Sequence, residues 1–320
     1  MPRIKLYKQV SKYKWVLLSL VFVVFLSGCQ RLNLNKTPTP LVVGDHELIG
    51  SGHTFDTKRM GRFMDGEAVY LVEDEAELAL LMMKRFENKM YKTRYASDVP
   101  LSLERIIAYL EMLVPHTFAL QAGVIRYGGL LNLKQEEVRF IDIVFDVDQH
   151  KINEQEASEI IKSLNILHEN RKNQIRAIHD YLVANTVYDS QLQSFDVSEY
   201  RDHPSFSPYG VYIHHQAVCS GYARAFMQLA HILDIPTVMI TSQNMNHAWN
   251  MVFVDDQWLF VDATWDDPVP DVPGRVLHTY YLLGLKQFKG KGHHFFDLAS
   301  DSTLGIEEMM AYANYVFGLH

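Results

Sequence analysis

The sequence predicts an α+β fold, with a helix that begins at a cysteine packed on an antiparallel sheet and a small α+β region before it. Three observations lead there. After Cys219, apolar side chains recur at helical spacing through Ala223, Phe226, Met227, Ala230 and Leu233. Residues 246–264 form two β-rich runs around Asp255-Asp256, the pattern of a hairpin. Upstream, residues 66–165 mix strand-like and helix-like stretches.

The composition is that of a folded chain. Of 320 residues 48% are hydrophobic and 21% charged, which excludes the low-hydrophobicity, high-charge signature of disorder. A body of this size buries roughly 70 to 75% of its unfolded surface, enough for a core without metal or disulfides. The two cysteines, Cys29 and Cys219, are too few and too far apart for a disulfide-stapled scaffold or a multi-thiolate metal cluster.

Residues 1–28 stand apart from that body. Arg3, Lys5, Lys8, Lys12 and Lys14, with no acid among them, precede the apolar run Trp15 to Leu26. Twelve helical residues reach roughly 18 Å, short of a hydrocarbon core about 30 Å thick, so the run reads as an export signal and not a span. Leu26-Ser27-Gly28-Cys29 then resembles a bacterial lipoprotein lipobox. That resemblance implies cleavage before Cys29, a diacylglycerol thioether on its sulfur and an acylated new N-terminus. Two or three acyl chains hold a protein to a bilayer where one does not, so the expected location is the extracytoplasmic face of the cell membrane.

Loss of residues 1–28 removes five positive charges and takes the formal charge from −8 to −13 over residues 29–320. An acidic surface without a basic stripe disfavours nucleic acid, and anionic headgroups would repel it, leaving attachment to the lipid. Residues 29–65 mix Asn, Pro, Thr and Gly without sustained period and read as a lipidated N-terminus and flexible stalk.

The region 66–165 opens with a strand-like run at Glu67–Val72. A helix over Asp74–Met90 follows, with Leu78, Leu80, Leu81 and Phe86 as its apolar stripe. Ser102 to Leu113 repeats Leu103, Ile106, Ile107, Leu110 and Leu113 at steps of three and four, between Pro100 and Pro115. Val138 to Val147 reads as a mostly covered strand, and Asn153 to Ser163 as a helix with an acidic start. Gly128-Gly129 lacks the Lys and Ser/Thr of a phosphate loop and reads as a turn. No chemistry is evident in this region. Its boundary with 166–320 is soft, and the two parts can share one core.

After Asn170, Ile175, Ile178, Leu182 and Val183 mark the face of a helix ending before Tyr188-Asp189. Ser190 to Ala217 is loop-like, with Pro204, Pro208 and Gly210 among Phe195, Tyr200, Phe206, Tyr209 and Tyr212, a composition that suits a site wall. Cys219 then falls in the first turn of its helix, where unpaired amides and the dipole stabilise a thiolate. Alone, such a cysteine is equally buried filler.

The hairpin supplies its partners. With Asp255-Asp256 as a two-residue loop, Trp249 lies opposite Asp262 and His247 opposite Thr264. One face then carries His247, Trp249, Met251 and Phe253 beside Trp258, Phe260, Asp262 and Thr264. His247 and Asp262 become diagonal neighbours roughly 7 to 8 Å apart at Cα, within reach of a side-chain hydrogen bond. An imidazole takes the thiol proton and a carboxylate orients and supports the imidazolium, so Cys219, His247 and Asp262 fill three separate roles.

Val218-Cys219-Ser220-Gly221-Tyr222-Ala223, His247-Ala248-Trp249-Asn250, and Trp258 with Val261-Asp262-Ala263-Thr264-Trp265-Asp266-Asp267-Pro268 resemble the transglutaminase-like core of the papain-type cysteine enzymes. Ile178-His179-Asp180-Tyr181-Leu182 with Tyr188-Asp189 is similar to the family's opening helix, and the resemblance covers about residues 170–280. It implies a papain-like core in which Cys219 is the nucleophile, His247 the base and later acid, and Asp262 the orienting carboxylate. Trp249 and Tyr222 would be site framework. The oxyanion donor stays open among the Cys219 amide, Gln216 and Tyr209.

The implied activity is a cysteine hydrolase, working without cofactor or metal on a peptide or protein amide outside the membrane, cell-wall material among the candidates. Protein-glutamine acyl transfer, which crosslinks, and a non-catalytic binding or assembly protein that retains the fold are the alternatives. His214-His215 and His293-His294 read as solvated or structural histidines because neighbouring side chains rarely share one ion. Asp266 and Asp267 read as solvated acids on the turn after the hairpin.

Overall fold

A computed structural model describes residues 59–62, 68–128, 135–194, 203–242, 244–267, 269–293 and 304–319. The export signal, Cys29, most of the stalk, His294 and Gly129 lie outside the described residues. Arg59–Arg62, at the end of the stretch expected as stalk, form strand β1 and pair antiparallel with β2 (Ala68–Leu71). This corrects the sequence reading: the folded body starts earlier than residue 66.

Asp74 then caps helix α1 (Glu75–Glu87), its carboxylate accepting the Glu77 amide at 2.8 Å while Glu75 and Glu77 sit at the positive end of the dipole. β3 (Lys92–Ala96) leads to α2 (Leu103–Leu113), capped by Ser102. β4 (Ala119–Gly128) and β5 (Gln135–Val144) pair antiparallel along their full length. The sheet runs β1-β2-β3-β5-β4, with β2 and β3 parallel and the other neighbours antiparallel. Helix α3 (Val147–Leu164) starts nearly two turns before the expected Asn153. Asp146 caps it by accepting the amides of Asp148 and Gln149, and its polar opening shows no apolar period.

Helix α4 (Arg171–Asn185) runs into β6 (Val187–Tyr188). The stretch expected as loop contains short helical turns at Ser190–Ser194, Pro204–Phe206 and Gly210–His214, then β7 (Gln216–Ala217), parallel to β6. Helix α5 (Cys219–Ile232) and strands β8 (Thr237–Ser242), β9 (His247–Val254) and β10 (Gln257–Val261) complete the second half's centre. Helices α6 (Leu285–Gly290) and α7 (Ile306–Phe317), for which the sequence reading has no counterpart, follow.

The hairpin register agrees with the sequence expectation. Gln257 faces Val254 and Val261 faces Asn250, around Asp255 and Asp256 with φ of 51° and 58°. The ladder ends there, so the expected pairs Trp249–Asp262 and His247–Thr264 lie just beyond it.

The three-stranded sheet β10-β9-β8 is covered on both faces, and strand alternation sorts the side chains. Val238, Ile240, Trp249, Met251, Trp258 and Phe260 share a core cluster with Leu78, Leu80, Ile106 and Leu110 of α1 and α2 and with Met309 and Ala313 of α7. Val252, Val254 and Val261 pack instead with Phe226 and Leu229 of α5 and Ile175, Ile178 and Leu182 of α4. The first cluster therefore crosses the soft sequence boundary near 166. Arg224 reaches across it too, its guanidinium donating to the carbonyls of Val114 and His116 at 3.0 and 2.8 Å.

Candidate active site

Cys219 is the first residue of α5, and its cap residue Val218 offers no side-chain acceptor. The first-turn amides are thus not consumed by a capping side chain, and with the dipole they favour negative charge at this tip. The chain entering the helix is clamped. Ser205 donates its hydroxyl to Asp189 at 2.7 Å and accepts the Val218 amide on its carbonyl at 3.0 Å, while the Asp189 amide donates to Ala217 at 2.9 Å. Glycine at 221 makes the approach possible, since a Cβ there would meet the Ser205 carbonyl oxygen at 2.4 Å.

The half-buried sulfur packs on the cluster of Ala223, Met227, Met239 and Ala248, lies 4.0 Å from the Asn246 carbonyl oxygen, and acts electrostatically on His247. His247 opens β9 directly after Asn246, whose φ is 46°. Asp262, fully buried just past β10, places Oδ2 2.7 Å from His247 Nε2 and accepts the Trp265 amide on Oδ1 at 3.1 Å.

Burial opposes charge on the His247 ring, but the charge and hydrogen bond of Asp262, with those of Cys219, outweigh it and hold the pKa up at about 10. Burial likewise pushes Asp262 up, yet His247 and then His293 bring it down to about 2. Both directions describe an imidazolium beside a carboxylate at neutral pH. An ionised carboxylate only accepts, so the nitrogen facing it on His247, Nε2, carries a proton, and Nδ1 is the nitrogen left for Cys219.

Aromatic side chains enclose the pair. Trp265 stacks on His247 with centroids 5.1 Å apart and Trp249 lies at 5.6 Å. Trp249, read as framework, is buried beside the imidazole. Tyr222, also read as framework, is fully buried in α5 and donates its hydroxyl to Asp267. Of the oxyanion candidates, Gln216 lies on β7 opposite Val187, and Tyr209 sets its ring edge-on to His214 at 5.3 Å. Neither side chain hydrogen-bonds Cys219 or His247 among the described residues.

Two sequence readings are corrected. Asp266 and Asp267 are buried, not solvated. Asp266 accepts from His179 Nε2 at 3.1 Å and from the amides of Thr279 and Tyr280 at 2.7 and 3.0 Å, while Tyr222 and burial hold Asp267 inside. Of the two options left open for His293, solvated or structural, the second holds: it is fully buried, its Nε2 3.0 Å from Asp262 Oδ2. His214 and His215 are exposed.

His293 lies 31 positions from Asp262 in a segment without period, so nothing in the spacing announces it. Tyr188 was legible only as part of a resemblance. Half-buried on β6, it is pushed up to about 12 by burial and then by the charges of Cys219, Asp189 and Asp262, which places it beside the site.

Two groups of three side chains have potential ligand atoms within 4.8 Å of one another: His179, Asp180 and His278, and His247, Asp262 and His293. The nitrogen-to-oxygen distances within them, 2.6 to 3.0 Å, are those of direct N–H···O bonds. A cavity of about 610 Å³ lies apart from Cys219, His247 and Asp262, lined by Phe86, Tyr91, His116, His150, Gln228 and Phe317 among others. Its volume suits a ligand, but the chemistry described above is elsewhere, and geometry outweighs size in locating the site.

Residues 162–263 match the model of the transglutaminase-like superfamily. The kyphoscoliosis peptidase of Mus musculus is 23% identical over 111 residues, covering 30% of this chain and 16% of that protein. The chain thus spans a small part of the curated relative's length. A crystal structure described as a TGase is 14% identical, with a TM-score of 0.33 over 61% of this chain and 58% of the other. A protein of Cytophaga hutchinsonii described as a cysteine protease is 14% identical, with a TM-score of 0.29 over 50% and 68%.

Proposed function

We propose that the protein is a membrane-anchored, extracytoplasmic cysteine hydrolase that cleaves peptide or protein amide bonds through a thioacyl intermediate. The observation that carries this reading is the 2.7 Å bond between His247 and Asp262, with the Cys219 sulfur among the groups that hold the imidazole charged at neutral pH. The sulfur, as thiolate, attacks the amide carbonyl carbon, and His247 gives its Nδ1 proton to the leaving amine as the C–N bond breaks. Water, deprotonated by the neutral imidazole, then opens the thioester to a carboxylic acid and returns the thiolate–imidazolium pair. The amide of Cys219 at the uncapped helix start is the oxyanion donor. Superfamily membership of residues 162–263 supports the cysteine chemistry. The basic and apolar leader and Leu26-Ser27-Gly28-Cys29 support the lipid anchor at Cys29 and the location outside the membrane.

The test incubates wild type and Cys219→Ala with exported proteins and with wall material. Free amine released by wild type alone is the expected result. A covalent conjugate between two substrates would assign transfer instead, and identical products from both proteins would remove the enzyme.

A further inference from the structure

Asp262 Oδ2 faces two imidazole nitrogens, His247 Nε2 at 2.7 Å and His293 Nε2 at 3.0 Å, while Oδ1 faces the Trp265 amide. Because an ionised carboxylate can only accept, both nitrogens are N–H donors, and three donors divide one negative charge. The His293 ring is held for this. Phe288 stacks on it at 3.8 Å, Trp265 lies at 4.2 Å and Trp249 meets it edge-on at 5.0 Å, with no exposed surface left.

We infer that His293 is a positioning residue: it locks the Asp262 carboxylate in the rotamer that meets His247 and, by sharing its charge, limits how tightly that carboxylate holds the His247 proton. The inference rests on the thiolate reading above. It matters there because His247 has to release its proton to the leaving amine, and an undivided carboxylate would keep it longer. The other titratable groups facing the pair are Cys219 on α5, Tyr188 on β6, and Tyr280, which follows the hairpin.

The experiment follows the His247 ring by nitrogen-15 NMR through a pH titration, with the rate of Cys219 alkylation by iodoacetamide measured alongside. His293→Phe keeps the stacking and removes the N–H, and should raise the His247 midpoint by roughly one pH unit. His293→Gln, whose amide nitrogen reaches the same place, should restore it. Where the Phe variant does not fold, Gln against the shorter Asn carries the comparison, Asn alone shifting the midpoint. An unshifted midpoint in a folded Phe or Asn variant overturns the inference. Alkylation that is equally fast in His247→Ala and wild type overturns the underlying reading instead, whatever His293 does.

Discussion

Trp265 lies nearly flat on His247, the two ring planes 20° apart. An indole face attracts a cation, so the stacking adds to the carboxylate in keeping the imidazole charged. A cation on an aromatic face gains about 0.5 to 2 kcal/mol. Trp265→Ala should therefore lower the His247 midpoint by roughly half a unit to one unit, and Trp265→Phe by less, read by the same ring titration.

Stability should depend on pH in two separate windows. His247 holds its proton more tightly folded than unfolded, so its contribution is complete below about 6.5 and declines as pH rises through about 10. Asp262 holds its proton less tightly folded, so its contribution is complete above about 3.8 and declines as pH falls through about 2. Urea unfolding between pH 6 and 10 should show falling stability. In Asp262→Asn much of that slope should vanish, and an unchanged slope would remove the pair as its source.

His179 should be among the costliest single residues to replace. Both its nitrogens meet carboxylates, Asp180 at 3.0 Å and Asp266 at 3.1 Å, and His179 and Asp266 are fully buried. Burial opposes its charge but those hydrogen bonds raise its pKa. Phe in its place leaves Asp266 buried without its cation, an expected loss of about 3 to 5 kcal/mol in chemical denaturation. Asp266 also accepts the Tyr280 amide, and Tyr280 accepts the Asp262 amide, so activity should fall beyond what unfolding explains.

Gly221→Ala should destabilise by about 1 to 3 kcal/mol, because the new methyl meets backbone oxygen and not a flexible side-chain end. Gly290→Ala, where no heavy atom lies within 4 Å, is the control and should be neutral within about 0.5 kcal/mol. Melting curves of the two variants make the comparison.

Much of the site was legible because its signals are local. The spacing of Ala223, Phe226 and Met227 set the helix, two adjacent aspartates set the turn, and period two then put His247 and Asp262 on one face. The extent of α3 was hidden because its first turns are polar and only the Asp146 cap marks the start. Asp266 and Asp267 were misjudged, and the role of His293 was left open, for another reason. Their burial comes from partners 87, 45 and 31 positions away, and a composition of charged side chains says nothing of which distant donors will meet them.

Trp249, Met251, Trp258 and Phe260 look away from the cysteine helix and toward α1, α2 and α7. A recombinant fragment trimmed to residues 162–263 would strip that side of the sheet bare, leaving two indoles and their neighbours to water and to other molecules of the same fragment. The upstream region is thus the other half of the wall on which the histidine strand hangs, and expression trials should begin no later than Arg59.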